Sequence, residues 1–245
     1  MRQFVTSKDG TRIAYETAGD GRAALIVLGA LNSRQSGTKL TKLLASKFKA
    51  VSYDRRGRGD SADSASYAPE REVEDIAALI EAVGGPICLY GHSSGAALAM
   101  AAAVKLRKQV TRLAMYEAPY ALDGTARKAA QEYHVALKQA LSAGHNGDAV
   151  ALFVRSVGVS DQQIQAMRHM PMWKGLQKLA QRWCMTAKSW ARGTLCRQPS
   201  SRGSGRQPWS CTAVPDLLRC AMQLGRSATP FLKRNFALSP ARLMV

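Results

Sequence analysis

The chain has 245 residues, 46% of them hydrophobic, with 35 Lys+Arg against 17 Asp+Glu and a formal net charge of +18. That length suits one α/β domain with a full core, or a core with a small insertion. No run of 18 apolar residues occurs, so a membrane span is not expected, and the stretch from Met1 to Gly10 lacks an apolar signal core, which makes a cytoplasmic location the default expectation.

In chain order, Phe4-Val5-Thr6 and Arg12 to Glu16 read as a hairpin around Lys8-Asp9-Gly10. Ala24 to Leu28 is a continuous apolar run, the pattern of a parallel strand covered on both faces. Thr38 to Lys47 predicts a helix with Leu40, Leu43 and Leu44 on one face, and Ala50 to Tyr53 the next strand. Glu70 to Val83 carries Val73, Ile76, Ala77 and Ile80 as one stripe, an amphipathic helix. Pro86 to Tyr90 is a short apolar strand, and Val110 to Tyr116 another. Alternation of this kind predicts an α/β fold, a mainly parallel sheet with helices on both faces.

Between those two strands lies Gly91-His92-Ser93-Ser94-Gly95, a Gly-x-Ser-x-Gly sequence, followed by the helix-forming run Ala96 to Val104. A strand, a tight turn and a helix place the serine where the chain reverses, and the flanking glycines let backbone and helix pass closely. The turn lifts the hydroxyl out of the sheet and aims the helix N-terminus at it. From Ala121 to about Ala180 the text turns helical, with Tyr133, Leu137 and Leu141 spaced by four, as in a helical cap over the sheet's carboxyl edge.

Residues 1–120 resemble the α/β-hydrolase family. The resemblance rests on Asp9-Gly10-Thr11-Arg12-Ile13-Ala14-Tyr15, on the strand ending Leu28-Gly29-Ala30, on Tyr53-Asp54-Arg55-Arg56-Gly57-Arg58-Gly59-Asp60-Ser61, on the turn at Ser93 and on Tyr116-Glu117-Ala118-Pro119-Tyr120. It implies Ser93 as nucleophile and the backbone N–H groups of Ser94 and Ala30 as the two halves of an oxyanion hole. It also implies a small-molecule ester or related acyl substrate and no metal or organic cofactor. The family needs a histidine base oriented by a carboxylate, in the order serine, acid, histidine. Here the sequence departs from the pattern. No histidine follows His169; His134, His145 and His169 fall in the cap, and the His92 ring is expected to point away from the serine hydroxyl. Glu117, just after the strand beside the Ser93 strand, is the better placed carboxylate, with a structural loop acid as the alternative. Asp216 is the only late acid. The catalytic histidine is therefore unassigned.

The organisation so read is a core half over 1–120, a cap over 121–180 and an atypical basic tail over 181–245. Residues 1–161 hold 21 basic and 16 acidic residues, whereas 162–245 hold 14 basic residues and one acid. No helical array of Lys and Arg with interleaved aromatics accompanies that excess, so a nucleic-acid partner is not expected. Cys184, Cys196, Cys211 and Cys220 lie there too, at spacings that fit no zinc site and no redox pair. Enrichment in Arg, Ser, Pro, Cys and Trp is what GC-rich coding DNA yields in a wrong frame. Taking the third base of each codon with the first two of the next, Gln181 to Ala191 can spell Thr-Leu-Val-Tyr-Asp-Gly-Glu-Ile-Met-Gly. In the same frame Pro240 to Val245 can spell Gly-Gln-Thr-His-Gly, similar to the family's catalytic-histidine loop. A frameshift near Ala180 is the expectation, with a divergent, poorly packed tail as its alternative. For function, a serine hydrolase stands first, with an inactive hydrolase-like remnant and a basic-tail anion or nucleic-acid binder behind it.

Overall fold

The computed structural model describes residues 1–64, 67–119 and 124–180. The expectations for the basic tail and its reading frame, and the late acid Asp216, lie outside the described residues.

Six strands form one sheet in the order β1-β2-β4-β3-β5-β6. The hairpin β1 (Gln3–Thr6) and β2 (Arg12–Ala18) is antiparallel, and β2 runs antiparallel to β4 (Lys49–Tyr53). The other pairings, of β3 (Ala23–Val27) with β4, and of β5 (Ile87–His92) with β3 and with β6 (Val110–Tyr116), are parallel. All five residues of β3 are buried, as an apolar run between two helical layers must be.

The helix predicted over 38–47 is shorter: α1 covers Thr38–Leu44, behind a 3-10 turn at Arg34–Gly37. The next helix, α2 (Pro69–Val83), starts with Pro at its first turn and stops at Gly84, which takes the left-handed conformation at φ +80°. Its buried stripe includes Val73, Ile76, Leu79 and Ile80, which share one core with Leu25, Val27, Leu89 and Leu98. The helix after the serine, α3 (Ser94–Leu106), buries nearly its whole N-terminal half against the sheet. Small residues allow that approach. A Cβ at Gly95 would lie 2.6 Å from the Leu28 carbonyl oxygen, and one at Gly91 would lie 2.7 Å from that of Gly95.

Beyond β6 the described chain is helical, with α4 (Gly124–Ser142), α5 (Asn146–Ser156) and α6 (Asp161–Arg168), then helical residues 172–180. Leu137, Val150, Ile164 and Trp173 from this segment form a second buried cluster that includes Ala30. The helices therefore pack on the loop that follows β3.

Candidate active site

Three neighbouring parallel strands, β3, β5 and β6, end side by side, and each leads to candidate residues at its carboxyl end. That edge is where open α/β sheets place ligands. β3 leads to Ala30, β5 to Ser93 and Ser94, and β6 to Glu117. The ladder continues one step past β5, with the Ser93 N–H donating to the Tyr116 carbonyl at 2.9 Å. Ser93 then turns at φ +54°, ψ −126°, and α3 begins at the next residue. A non-glycine residue held at positive φ costs energy of order 1–3 kcal/mol and persists only where its surroundings enforce it. The only other non-glycine residue at positive φ among the described residues is Glu117, at +51°. Both strained residues thus sit on the same edge, in adjacent loops.

Gly29 makes the close approach possible. A Cβ there would lie 3.2 Å from the Ser93 Cβ and 3.3 Å from the Asn32 side-chain nitrogen. Asn32 escaped the sequence reading, because a polar residue after a strand looks like any other loop residue. Among the described residues, neither the Ala30 nor the Ser94 amide donates in the turn and loop hydrogen bonds around them. Ala30 and Ser94 are themselves buried, at 3% and 8% exposure.

His92 packs its ring on Tyr116, with centroids 5.7 Å apart. Its Nε2 lies 3.9 Å from Glu117 Oε2, beyond hydrogen-bond reach. Burial pushes the His92 imidazole down to about 4, so it is neutral at pH 7. Burial and the neighbouring Glu117 charge push the Tyr116 phenol up to about 12. The other histidines lie on the helical segment. His134 sits in α4 edge-on to Tyr133, His145 precedes α5 with Nδ1 4.0 Å from Asp148, and His169 ends α6.

The charged loop after β4 forms the floor of this edge. Arg55, Arg56 and Arg58 are only 2%, 2% and 3% exposed. Arg55 makes a two-pronged pair with Glu72 of α2, at 2.5 and 2.6 Å. Arg56 pairs in the same way with Asp75 and reaches Asp9 of the β1–β2 turn at 2.8 Å. Arg55, with the Arg58 charge behind it, holds the Glu72 carboxyl down at about 2 despite its burial. Asp54 accepts from the Arg34 backbone N–H at 2.6 Å, from the Arg34 guanidinium and from the Asp60 N–H at 2.9 Å. Arg55 and Arg56 entered the sequence reading only within the segment from Tyr53 to Ser61 that carries the family resemblance. Their partners are Glu72 and Asp75, one helical turn apart on a single face, and only tertiary contact reveals that match.

The profile of the Alpha/beta hydrolase family matches residues 29–244. The chain belongs to that family. A solved alpha/beta hydrolase from Sphaerobacter thermophilus is 41% identical with a TM-score of 0.65, covering 76% of this chain and 73% of that one. A proline iminopeptidase from Pestalotiopsis fici is 29% identical over 120 residues, 46% of this chain and 42% of that protein. A non-heme haloperoxidase from Rhodococcus erythropolis is 33% identical over 95 residues, 38% of this chain and 35% of that protein. The chain thus spans less than half the length of these curated relatives. No helix among the described residues is long and apolar enough to cross a membrane.

Proposed function

We propose that this member of the family is a serine hydrolase that cleaves an ester or related acyl bond through a Ser93 acyl-enzyme. The observation that carries the reading is Ser93 at φ +54° between β5 and α3, beside two buried backbone amides, those of Ala30 and Ser94. Ser93 Oγ would attack the acyl carbon while the carbonyl electron pair moves onto oxygen. The two amides would receive that oxyanion, each worth on the order of 3 kcal/mol to the transition state. Collapse expels the alcohol with a proton, and water then hydrolyses the acyl-serine. The helical segment that packs on Ala30 would form one wall of the substrate site.

A serine hydroxyl needs a base. Glu117 is the candidate acid, but His92 is a weak base at a pKa of about 4. Turnover by the chain as written is therefore expected to fall several orders of magnitude short of an intact triad. The test compares this chain, its Ser93→Ala variant and a version restored to the alternative frame after Ala180, all on an activated aryl ester. The first two are expected to be nearly equal, and the third much faster with its rate removed by Ser93→Ala. Ordinary enzyme rates in the chain as written, removed by Ser93→Ala, would mean that His92, His134, His145 or His169 serves as base. Single replacements would then identify it. A second reading, a non-catalytic remnant that binds an apolar ligand beneath its helices, is favoured by the lack of any histidine after His169. It prevails if the restored chain is inert as well.

A further inference from the structure

Arg58 is a buried cation that makes no ion pair among the described residues. Arg55 and Arg56 beside it each face a carboxylate. Arg58 donates instead from Nη1 to the Gly29 carbonyl oxygen at 3.1 Å, and its Nε is buried without a hydrogen-bond partner. Desolvation and the adjacent Arg55 charge push its guanidinium down to about 10, still fully charged at neutral pH. Burying a charge with no direct ion-pair partner is expensive even with the Glu72 carboxylate acting on it from a distance, and a chain that needed only packing here would be better served by an apolar side chain.

The acceptor is what gives this contact a role. The Gly29 carbonyl and the Ala30 N–H belong to one peptide unit. That unit is planar, and in the trans form its C=O and N–H point in opposite directions. Fixing the carbonyl therefore fixes the amide. A cationic donor on the carbonyl oxygen also draws electron density through the conjugated unit and strengthens its N–H as a donor, the cooperativity expected of linked hydrogen bonds at low local dielectric. Arg55 steadies the flanks of the same site: Nη1 reaches the Leu28 carbonyl at 3.3 Å and the Ser94 hydroxyl at 3.2 Å. Its charge is already matched by Glu72, so its contribution is to hold the loop.

We propose that Arg58 is a positioning residue that orients and polarises the Ala30 N–H through the Gly29–Ala30 peptide. Its catalytic consequence rests on the acyl-transfer reading above; the polarisation itself does not. The experiment uses the full chain with Arg58→Met, which keeps the stem but removes the donors, and Arg58→Lys, which keeps a cationic donor. Three quantities are measured: kcat and KM for Ser93-dependent hydrolysis of an activated aryl ester, in the frame-restored version carrying each substitution, and, in the chain as written, the thermal midpoint and the Ala30 amide proton shift. Arg58→Met is expected to lower kcat about tenfold with KM within about twofold, less than loss of a whole oxyanion donor. Its thermal midpoint is expected to hold or rise. The Ala30 amide proton moves upfield, the Ser94 amide proton stays, and Arg58→Lys restores most of the kcat and of the shift. A midpoint that falls with kcat and is not recovered by Arg58→Lys would make Arg58 a packing residue and overturn the proposal. If Arg58→Met does not fold, Arg58→Gln, a neutral donor, takes its place, and a wild-type Ala30 shift there overturns polarisation. If the frame-restored chain shows no turnover that Ser93→Ala removes, the acyl-transfer reading fails, while the Ala30 shift still decides the role of Arg58.

Discussion

His92 and Gly95 show how single positions on the sheet edge that carries Ser93 answer to their surroundings. His92 is neutral in the fold, with its pKa pushed from 6.5 to about 4 by burial. The unfolded chain takes up that proton first, so the folded state loses stability as pH falls from about 6.5 towards 4 and the loss levels off below. Above pH 6.5 the contribution is complete. Urea unfolding across that range is expected to slope more steeply in the wild type than in His92→Gln; equal slopes would place the titration elsewhere. Gly95 tests the tightness of the turn. A methyl group there would press on the Leu28 carbonyl, 2.6 Å from the new carbon. Gly95→Ala is expected to cost on the order of 3 kcal/mol by overpacking, read from the denaturant midpoint. Both residues were visible in the sequence as parts of a Gly-x-Ser-x-Gly turn, but the His92 titration depends on the β6 neighbour against which its ring stacks.

The contact between α2 and the loop after β4 is the most heavily charged junction between elements. Glu72 and Asp75 fall on the buried face of an otherwise apolar helix stripe. Periodicity placed the helix by its apolar stripe alone and gave its acids no role. Removing one partner of a buried pair strands the other. Glu72→Gln should therefore cost about 3–5 kcal/mol by leaving Arg55 without its carboxylate. The exposed pair of Lys128 and Glu132, on one face of α4 at 4.0 Å, supplies the contrast. Glu132→Gln is expected to change stability by less than about 0.5 kcal/mol. Similar losses for the two substitutions, measured by chemical denaturation, would show that the Arg55–Glu72 pair is not effectively desolvated.

At the scale of the whole molecule, the sheet is asymmetric about its site. β3 and β5 each lie between two strands, whereas β6 is an edge strand among the described residues. An unpaired edge leaves backbone N–H groups open to water and exchange. Restoring the alternative frame after Ala180 is expected to add strand partners beyond β6. Deuterium uptake of the 110–116 segment should then slow relative to the chain as written. Unchanged uptake would show that the restored residues do not extend the sheet on that side.

The strands themselves and the serine turn were legible because their determinants are local. Apolar runs of four to six residues, a period of 3.6 in α2 and glycines flanking Ser93 each announce one conformation within a few neighbours. The family resemblance followed from those same short segments. What the sequence left open depends on residues far apart in the chain. Arg58 meets Gly29, Arg55 meets Glu72, Asp54 meets Arg34, and Glu117 approaches His92, each through a fold-level crossing that no spacing encodes. The 3-10 turn before α1 has the same origin, since it carries Arg34, whose buried guanidinium binds Asp54 and reaches Asp60 at 2.7 Å. Local propensity thus determined the elements and the candidate nucleophile. Tertiary packing alone decided which charges are buried, and so which side chains hold the amides around Ser93.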